Sequence, residues 1–463
     1  MNNSLVQYYR CPESYVSIAQ QGTLSENSGY FRFGADIVCY GRCSGLRPSA
    51  SPGAPLENAL RGVSSERGTV CLPFDLDQVV DSLRYERYQK DSLPHSTLQA
   101  AMASAYYFVR PMLPVTVRKH LQKIRLRDWD TLPFPKWPVD RTVDNLFEQL
   151  LLGVLRSQSL DSIPFIWFWP DGASSCAIMT HDVETTLGRD FCSTLMDIND
   201  SFGIKSSFQI VPERRYGVSP EFIESIKKRG FEVAVQDLNH DGHLFIERKE
   251  FLVRAAKINA YGREYKADGF RSAVLYRNQD WYDALDFSYD MSVPNVAHLD
   301  PQRGGCCTVM PYFVGNILEL PVTTTQDYSL FHILNDHSIG LWKQQTDLIM
   351  ESHGLMSFII HPDYIVEAEE RGTYEALLTY LAQLRREDNV WIPIPAEANR
   401  WWRERAKMTL VEDGDGWRIE GQGKERARIA YASERDGRVV YSWEPKLAPE
   451  LSLKGPLSHS SQA

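Results

Sequence analysis

No stretch of this 463-residue chain holds the roughly 20 consecutive apolar residues that a bilayer span needs, so no integral membrane segment is expected. Its start, MNNSLVQYYRCPESYVSIAQ, has neither a basic lead nor a long apolar run and does not read as a secretory signal. A cytoplasmic enzyme is the default expectation. A broad basic tract is also missing: the formal charge is -10 and the pI about 5.6, which argues against a general nucleic-acid binder. The eight cysteines do not form two close CxxC pairs, so a structural zinc ribbon is not expected. They read as reduced, partly buried thiols, with Cys39 and Cys43 near enough in sequence to meet. Neither GxGxxG nor a Walker phosphate loop occurs at a strand–helix turn, and no internal repeat is evident.

What the chain does have is ordinary globular material, 43% hydrophobic and 24% charged, long enough for two to four domains. Its 11 Trp, 22 Tyr and 20 Phe suit a core and equally a sugar-binding groove. In the N-terminal part, FRFGADIVCYG reads as a strand and SGLRPSASPGAPLEN as a loop. CLPFDLDQVVDSLRYERY reads as a strand end followed by a helix capped by Asp75 or Asp77. DNLFEQLLLGVLRSQ, from Asp144 to Gln158, has the apolar spacing of an amphipathic helix.

From about Pro164 the rhythm changes. CAIMTHD, SSFQIVP, FEVAVQ, DGFRS, FSYDMS, NILELPV and LMSFIIHP read as strands. PEFIESIKKRG, IERKEFLVRAAKINA, QDWYDAL and SIGLWKQQTDLIMESHG read as helices between them, and Tyr374 to Arg386 as a helix after the last. Seven or eight such units over roughly 230 residues predict an α/β fold, a parallel (β/α) barrel, with a doubly wound open sheet as the alternative. Beyond Met408 the alternation and the Gly-Asp turns predict a small antiparallel sheet, followed by a mobile tail. The expected division is an N-terminal α+β domain over 1–160, the barrel over 161–405 and a small β appendage with the tail over 406–463.

In a barrel, chemistry gathers at the C-terminal strand ends. Those ends deliver His181, Asp182 and Glu184; then Gln236, Asp237, His240, Asp241 and His243 of QDLNHDGH; then Arg271, Asp290 and His361. Histidine and carboxylate together suit zinc with an open position for water. Asp182 or Glu184 could take the proton of that water, His361 could protonate a leaving group, and Arg271 could hold a carboxylate or steady negative charge. Each has a plainer reading. Asp182 and Glu184 could cap the helix beginning near Thr185, Arg271 could make a structural ion pair, and Asp290 could bind backbone amides. His181, preceding Asp182 in a strand, is expected to face the other way and to pack or orient a neighbour.

Taken together, THDVE, VQDLNHDGH, GFRS and FIIHPDY resemble the motifs of the polysaccharide deacetylases of the carbohydrate esterase type, with a NodB-like distorted barrel, over about Pro164 to Pro395. YDMSVPN and PQRGGCCTVMPYF look like segments found in a subgroup of these proteins. The resemblance implies removal of an acetyl group from an N-acetylated sugar or glycan-biosynthesis intermediate with a divalent metal, zinc or a similar ion. It makes Asp182 the base, Arg271 its neighbour and His361 the acid. Glu184 falls where some relatives carry the ligand aspartate, and His240 on the second of two ligand histidines. Gln236 stands where the first of those histidines is expected, which weakens coordination; the longer Glu184 or a swung-in His243 could compensate. The alternative is a catalytically inactive relative, a saccharide-binding or assembly protein of glycan biosynthesis. A homo-oligomer is compatible with either.

Overall fold

The computed structural model describes residues 4–92, 126, 128–414 and 416–445. The expected C-terminal tail lies outside the described residues. The centre is an eight-stranded sheet. Its order is Tyr312–Val314, Ile317–Glu319, Tyr289–Asp290, Gly269–Arg271, Glu232–Gln236, Ser207–Ile210, Cys176–Val183 and Leu355–Ile360. Seven strands run parallel; Tyr312–Val314 is antiparallel, turned back by a two-residue loop in which Gly315 takes φ 58°. That antiparallel edge is the one strand of the sheet the apolar pattern does not anticipate.

The sheet is built from short, fully buried runs. Cys176–Val183 and Leu355–Ile360 are buried at every position, as expected of strands covered on both faces. Alternate side chains feed two cores. Ala177, Met179 and Val183 pack beneath the helices, while Cys176 and Ile178 join a second core. That second core also takes in the N-terminal region, the amphipathic helix Thr142–Ser157 and the helix Pro395–Lys407.

Among the described residues the curled sheet does not close by backbone pairing between Leu355–Ile360 and the far edge. Side chains, with one backbone bond from Leu355 N to Val309 O (2.8 Å), join the seam instead. Thr323 Oγ1 donates to Leu355 O (2.7 Å) and accepts from Ser357 N (2.9 Å), and Thr324 Oγ1 donates to Ser357 O (2.7 Å). The fold is therefore an α/β distorted barrel, parallel over most of its circumference and laced by threonines at one seam.

Beyond the barrel, Ile429–Arg435 pairs with Ile163–Ile166 and with Arg438–Ser442, while Thr409–Asp413 and Gly416–Glu420 form their own hairpin. Asp75 caps the helix Leu76–Arg84, as its position before the apolar run implies. All eight cysteines are buried free thiols. No helix among the described residues is long and apolar enough to cross a membrane.

Candidate active site

The helix after the first barrel strand, Thr186–Ser201, is capped by Thr185, whose Oγ1 accepts from Gly188 N (3.0 Å). Capping therefore does not use Asp182 or Glu184, and both acids are left for the strand end. Asp182 lies inside the barrel, almost wholly buried. Its Oδ1 receives Arg271 Nη1 at 2.5 Å, and the same nitrogen donates to Thr180 Oγ1 at 2.8 Å. Arg271 is itself fully buried and anchored through Nε to Met291 O (2.9 Å). The expected arginine–carboxylate contact is thus a buried, charge-assisted one.

His361 ends the strand Leu355–Ile360. Asp327 grips it twice: Oδ2 accepts the backbone N and Oδ1 the ring Nδ1, each at 2.6 Å. An ionised carboxylate only accepts, so Nδ1 carries a proton and Nε2 is the face presented to the site. That Nε2 lies 3.5 Å from Glu184 Oε1. Burial works against a charged imidazole here, yet Asp327 and then Glu184 outweigh it and hold the His361 pKa well above its ordinary value. Asp327 is the member of this cluster that the sequence reading misses. Its signal was available: it follows the NILELPV strand by a few residues, at the same end of the sheet as the other acids.

His240 reaches the site through a folded-back loop. Asp237 and His240 both take left-handed backbone conformations, with φ 52° and 55°. Asp237 Oδ1 accepts Leu238 N, Asn239 Oδ1 accepts Asp241 N and Asp241 Oδ1 accepts His243 N, local side-chain turns that stand in for strand or helix. The result sets His240 Nε2 2.7 Å from Glu184 Oε1. Burial depresses His240, but the carboxylate of Glu184 more than reverses this and raises its pKa. For Glu184 the order is the same: burial would raise it, and His240 and His361 together hold it well below the usual carboxylate range.

Gln236 completes the cluster. Its Nε2 donates to Asp182 Oδ2 (3.0 Å) and to Glu184 Oε1 (3.1 Å), while its Oε1 is buried without a partner. His243 does not join. Its ring is 42% exposed and lies 3.7 Å from Asp241, which Arg254 clamps at 2.8 and 2.9 Å, so the turn that brings His240 inward carries His243 away. Asp290 also lies elsewhere, holding Tyr282 OH, Ser292 N and Ser292 Oγ, which is the backbone-and-hydroxyl role of its plainer reading. His181 packs as expected, between Asn199 Nδ2 (3.0 Å) and Ile360 O (3.3 Å), with burial holding its pKa down at about 3.

The donors suit a divalent cation of borderline character: the ligand atoms of Asp182, Glu184 and His361 lie within 4.8 Å of one another, with His240 against Glu184. Gln236 is compatible with such an ion in one orientation. Turned about its terminal bond, the amide aims oxygen at two carboxylates, which is favourable only with a cation between them. The orphaned Oε1 shows that the opposite orientation also leaves a buried acceptor unsatisfied.

No family profile and no curated protein sequence matches the chain. Solved structures do resemble it. Its structural neighbours include polysaccharide deacetylases. A Mycobacterium smegmatis protein assigned to that group shares 20% identity over 51% of this chain and 93% of its own, at a TM-score of 0.41. The PuuE allantoinase shares 12% over 51% and 92%, at 0.41. A family 4 acetyl xylan esterase from Clostridium thermocellum, in complex with a cobalt ion, shares 14% over 49% and 91%, at 0.32. Likenesses of this size say nothing about which residues act, and the roles below rest on the geometry of the chain itself.

Proposed function

We propose that this chain is a divalent-cation-dependent amide hydrolase that removes an acetyl group from an N-acetylated amino sugar. One observation carries the reading. Asp182, pinned by Arg271, and His361, pinned by Asp327, lie with Glu184 in a single buried cluster. A base and an acid, each with its own fixed partner and no partner shared, is what hydrolysis of a stable amide needs.

Glu184, His240 and Gln236 through its oxygen are the residues that would hold the ion, with His243 set aside by its position. When bound, such an ion polarises the carbonyl and lowers the pKa of water, zinc being the reference case. The chain's own part follows. Asp182 Oδ2 takes the proton of the water that adds to the carbonyl carbon, and Arg271 keeps Oδ1 from turning toward it. Arg271 Nη2, buried and without a partner, keeps a donor in reserve beside the base. The C–N bond then breaks, and His361 Nε2 delivers its proton to the leaving amine, giving acetate and the free amino sugar.

Acetate release from N-acetylglucosamine oligomers by zinc- or cobalt-loaded protein tests this. Asp182→Asn should lower kcat by about 10²–10⁴-fold. Protein that retains no cation after loading and releases no acetate would sink the hydrolytic reading.

Gln236 supports a second one. Its amide already donates to both carboxylates, so the cluster is bonded internally, as a metal-free saccharide-binding protein would require. On that reading oligosaccharide binds without turnover and Asp182→Asn changes nothing but affinity.

A further inference from the structure

Directly after Arg271 the backbone does something unusual. Val274 and Leu275 both adopt left-handed conformations, with φ 58° and 53°. A β-branched residue pays heavily there, and two non-glycine residues in succession more so. Strain of this kind persists where the surroundings fix the side chain that it aims.

That side chain is Leu275. It is 4% exposed and packs with Val322 and Ile359 in a small apolar group of its own, separate from both main cores. Ile359 precedes His361 by two residues, so the two share a face of the strand Leu355–Ile360 at its end. Ile359 is also in register with Thr180, which takes the hydrogen bond from Arg271 Nη1 and precedes Asp182 by two. The apolar trio therefore lies one layer beneath the acid–base cluster. On its other side, Leu275 and Val322 line a cavity of about 20 Å³ together with Thr324, Thr325 and Trp137. A space that size takes one water-sized group.

The turn is held from outside the barrel. Arg277, two residues on, gives Nε to Glu86 Oε2 at 2.7 Å and Nη2 to Glu86 Oε1, and Glu86 also accepts Gly305 N at 2.6 Å. Arg277 Nη1 returns to Leu275 O at 2.9 Å. A buried ion pair with the N-terminal region thus fixes the carbonyl of Leu275 itself.

We propose that Leu275 is a specificity-determining residue that limits the acyl group of the substrate to acetyl by closing the apolar end of the cleft. The proposal rests on the amide-hydrolase reading above. An acetyl methyl needs a dry apolar wall and no depth; a butyryl chain needs the space that Leu275 fills. Removing the side chain joins that space to the cavity behind it. Glycine also suits φ 53°, so the backbone turn is retained.

The test compares N-acetyl- and N-butyrylglucosamine disaccharides. The wild type should favour acetyl by at least about tenfold in kcat/KM, the discrimination that methylene-sized differences produce in apolar pockets. Leu275→Gly should erase or reverse that preference, and Leu275→Ala should move it in the same direction should the glycine variant fail to fold. Folded variants with an unchanged acetyl-to-butyryl ratio overturn the proposal. Binding of the same two compounds, measured calorimetrically in an Asp182→Asn background, separates it from the reading it rests on. If neither compound is turned over by any protein but Leu275→Gly shifts the ratio of dissociation constants toward butyryl, hydrolysis falls and the role of Leu275 stands. If both the turnover and the binding ratio stay fixed, the role of Leu275 falls.

Discussion

At the scale of single residues, Asp327 governs what His361 can do. Two hydrogen bonds from one carboxylate fix the backbone and the ring of the same histidine. Its charge keeps the imidazole protonated to higher pH than a free histidine, against the cost of burial. Asp327→Asn keeps an acceptor for one bond and removes the charge. The imidazole then gives up its proton more readily, so the alkaline limb of the kcat profile should move to lower pH, with kcat down about 10²-fold and KM little changed. A profile that keeps its alkaline limb in place would show that His361 is not the group that titrates. The residue-level reading of the chain reached most of this cluster because strand ends are legible: a buried apolar run that stops at a charged residue marks where a side chain leaves the sheet. Asp182, Glu184, Arg271 and His361 were visible for that reason. Asp327 carries the same strand-end signal more faintly, because a threonine run separates it from the NILELPV strand. His240 and His243 could not be separated by spacing, because the local turns of Asp237, Asn239 and Asp241 decide which ring turns inward.

At the scale of elements, the seam between the ends of the sheet is the weak point of the fold and is joined to the site. Parallel strands normally meet through evenly spaced backbone bonds. Here Thr323 and Thr324 supply hydroxyls instead, and the chain runs straight on to Asp327. Replacing both threonines by valine keeps volume and branching but leaves Leu355 O and Ser357 O without those donors. Each lost bond to a buried carbonyl costs about 1–3 kcal/mol, so the double variant should lose roughly 2–6 kcal/mol in urea unfolding. Because Asp327 is carried by the same segment, kcat should fall with it. A variant as stable as the wild type would mean that the seam is held elsewhere. The barrel's strand count followed from apolar runs bounded by glycine, proline or charge. Its incomplete closure could not, since an antiparallel edge and a side-chain seam are three-dimensional accidents of where Tyr312–Val314 folds back.

At the scale of the whole molecule, the two ends of the chain are tied to the base of the barrel. Arg405, fully buried, spends its guanidinium on backbone oxygens of Tyr8, Tyr9, Ile166 and Trp167 rather than on an acid. It thereby joins the helix Ser4–Tyr9, the strand Ile163–Ile166 and the helix Pro395–Lys407. No local sequence pattern predicts a contact across some hundreds of residues, so this assembly was invisible to motif and periodicity. Buried carboxyls away from the reactive cluster make the whole molecule sensitive to pH. Glu232 lies beneath the barrel with Tyr289 OH on one oxygen and Ala396 N on the other at 3.0 Å, and burial pushes its pKa up to about 7 from 4.5. Glu148, on the helix Thr142–Ser157, is likewise raised by burial, and secondarily by Asp144, to about 7. Both groups hold a proton in the folded state that the unfolded chain has already released, so the stability that each contributes is fully present below pH 4.5 and is lost as pH rises through 7. At 1.36 kcal/mol per unit, Glu232 alone accounts for about 3 kcal/mol between those limits. Glu232→Gln keeps a neutral hydrogen-bonding side chain at every pH. In urea titrations from pH 5 to 8 it should therefore flatten the decline seen in the wild type, leaving the part due to Glu148, Asp300 and the other raised groups, and should equal or exceed wild-type stability at the alkaline end. A slope identical to that of the wild type would mean that Glu232 is ionised in the folded protein throughout, and that Tyr289 and Ala396 are compensating a buried charge.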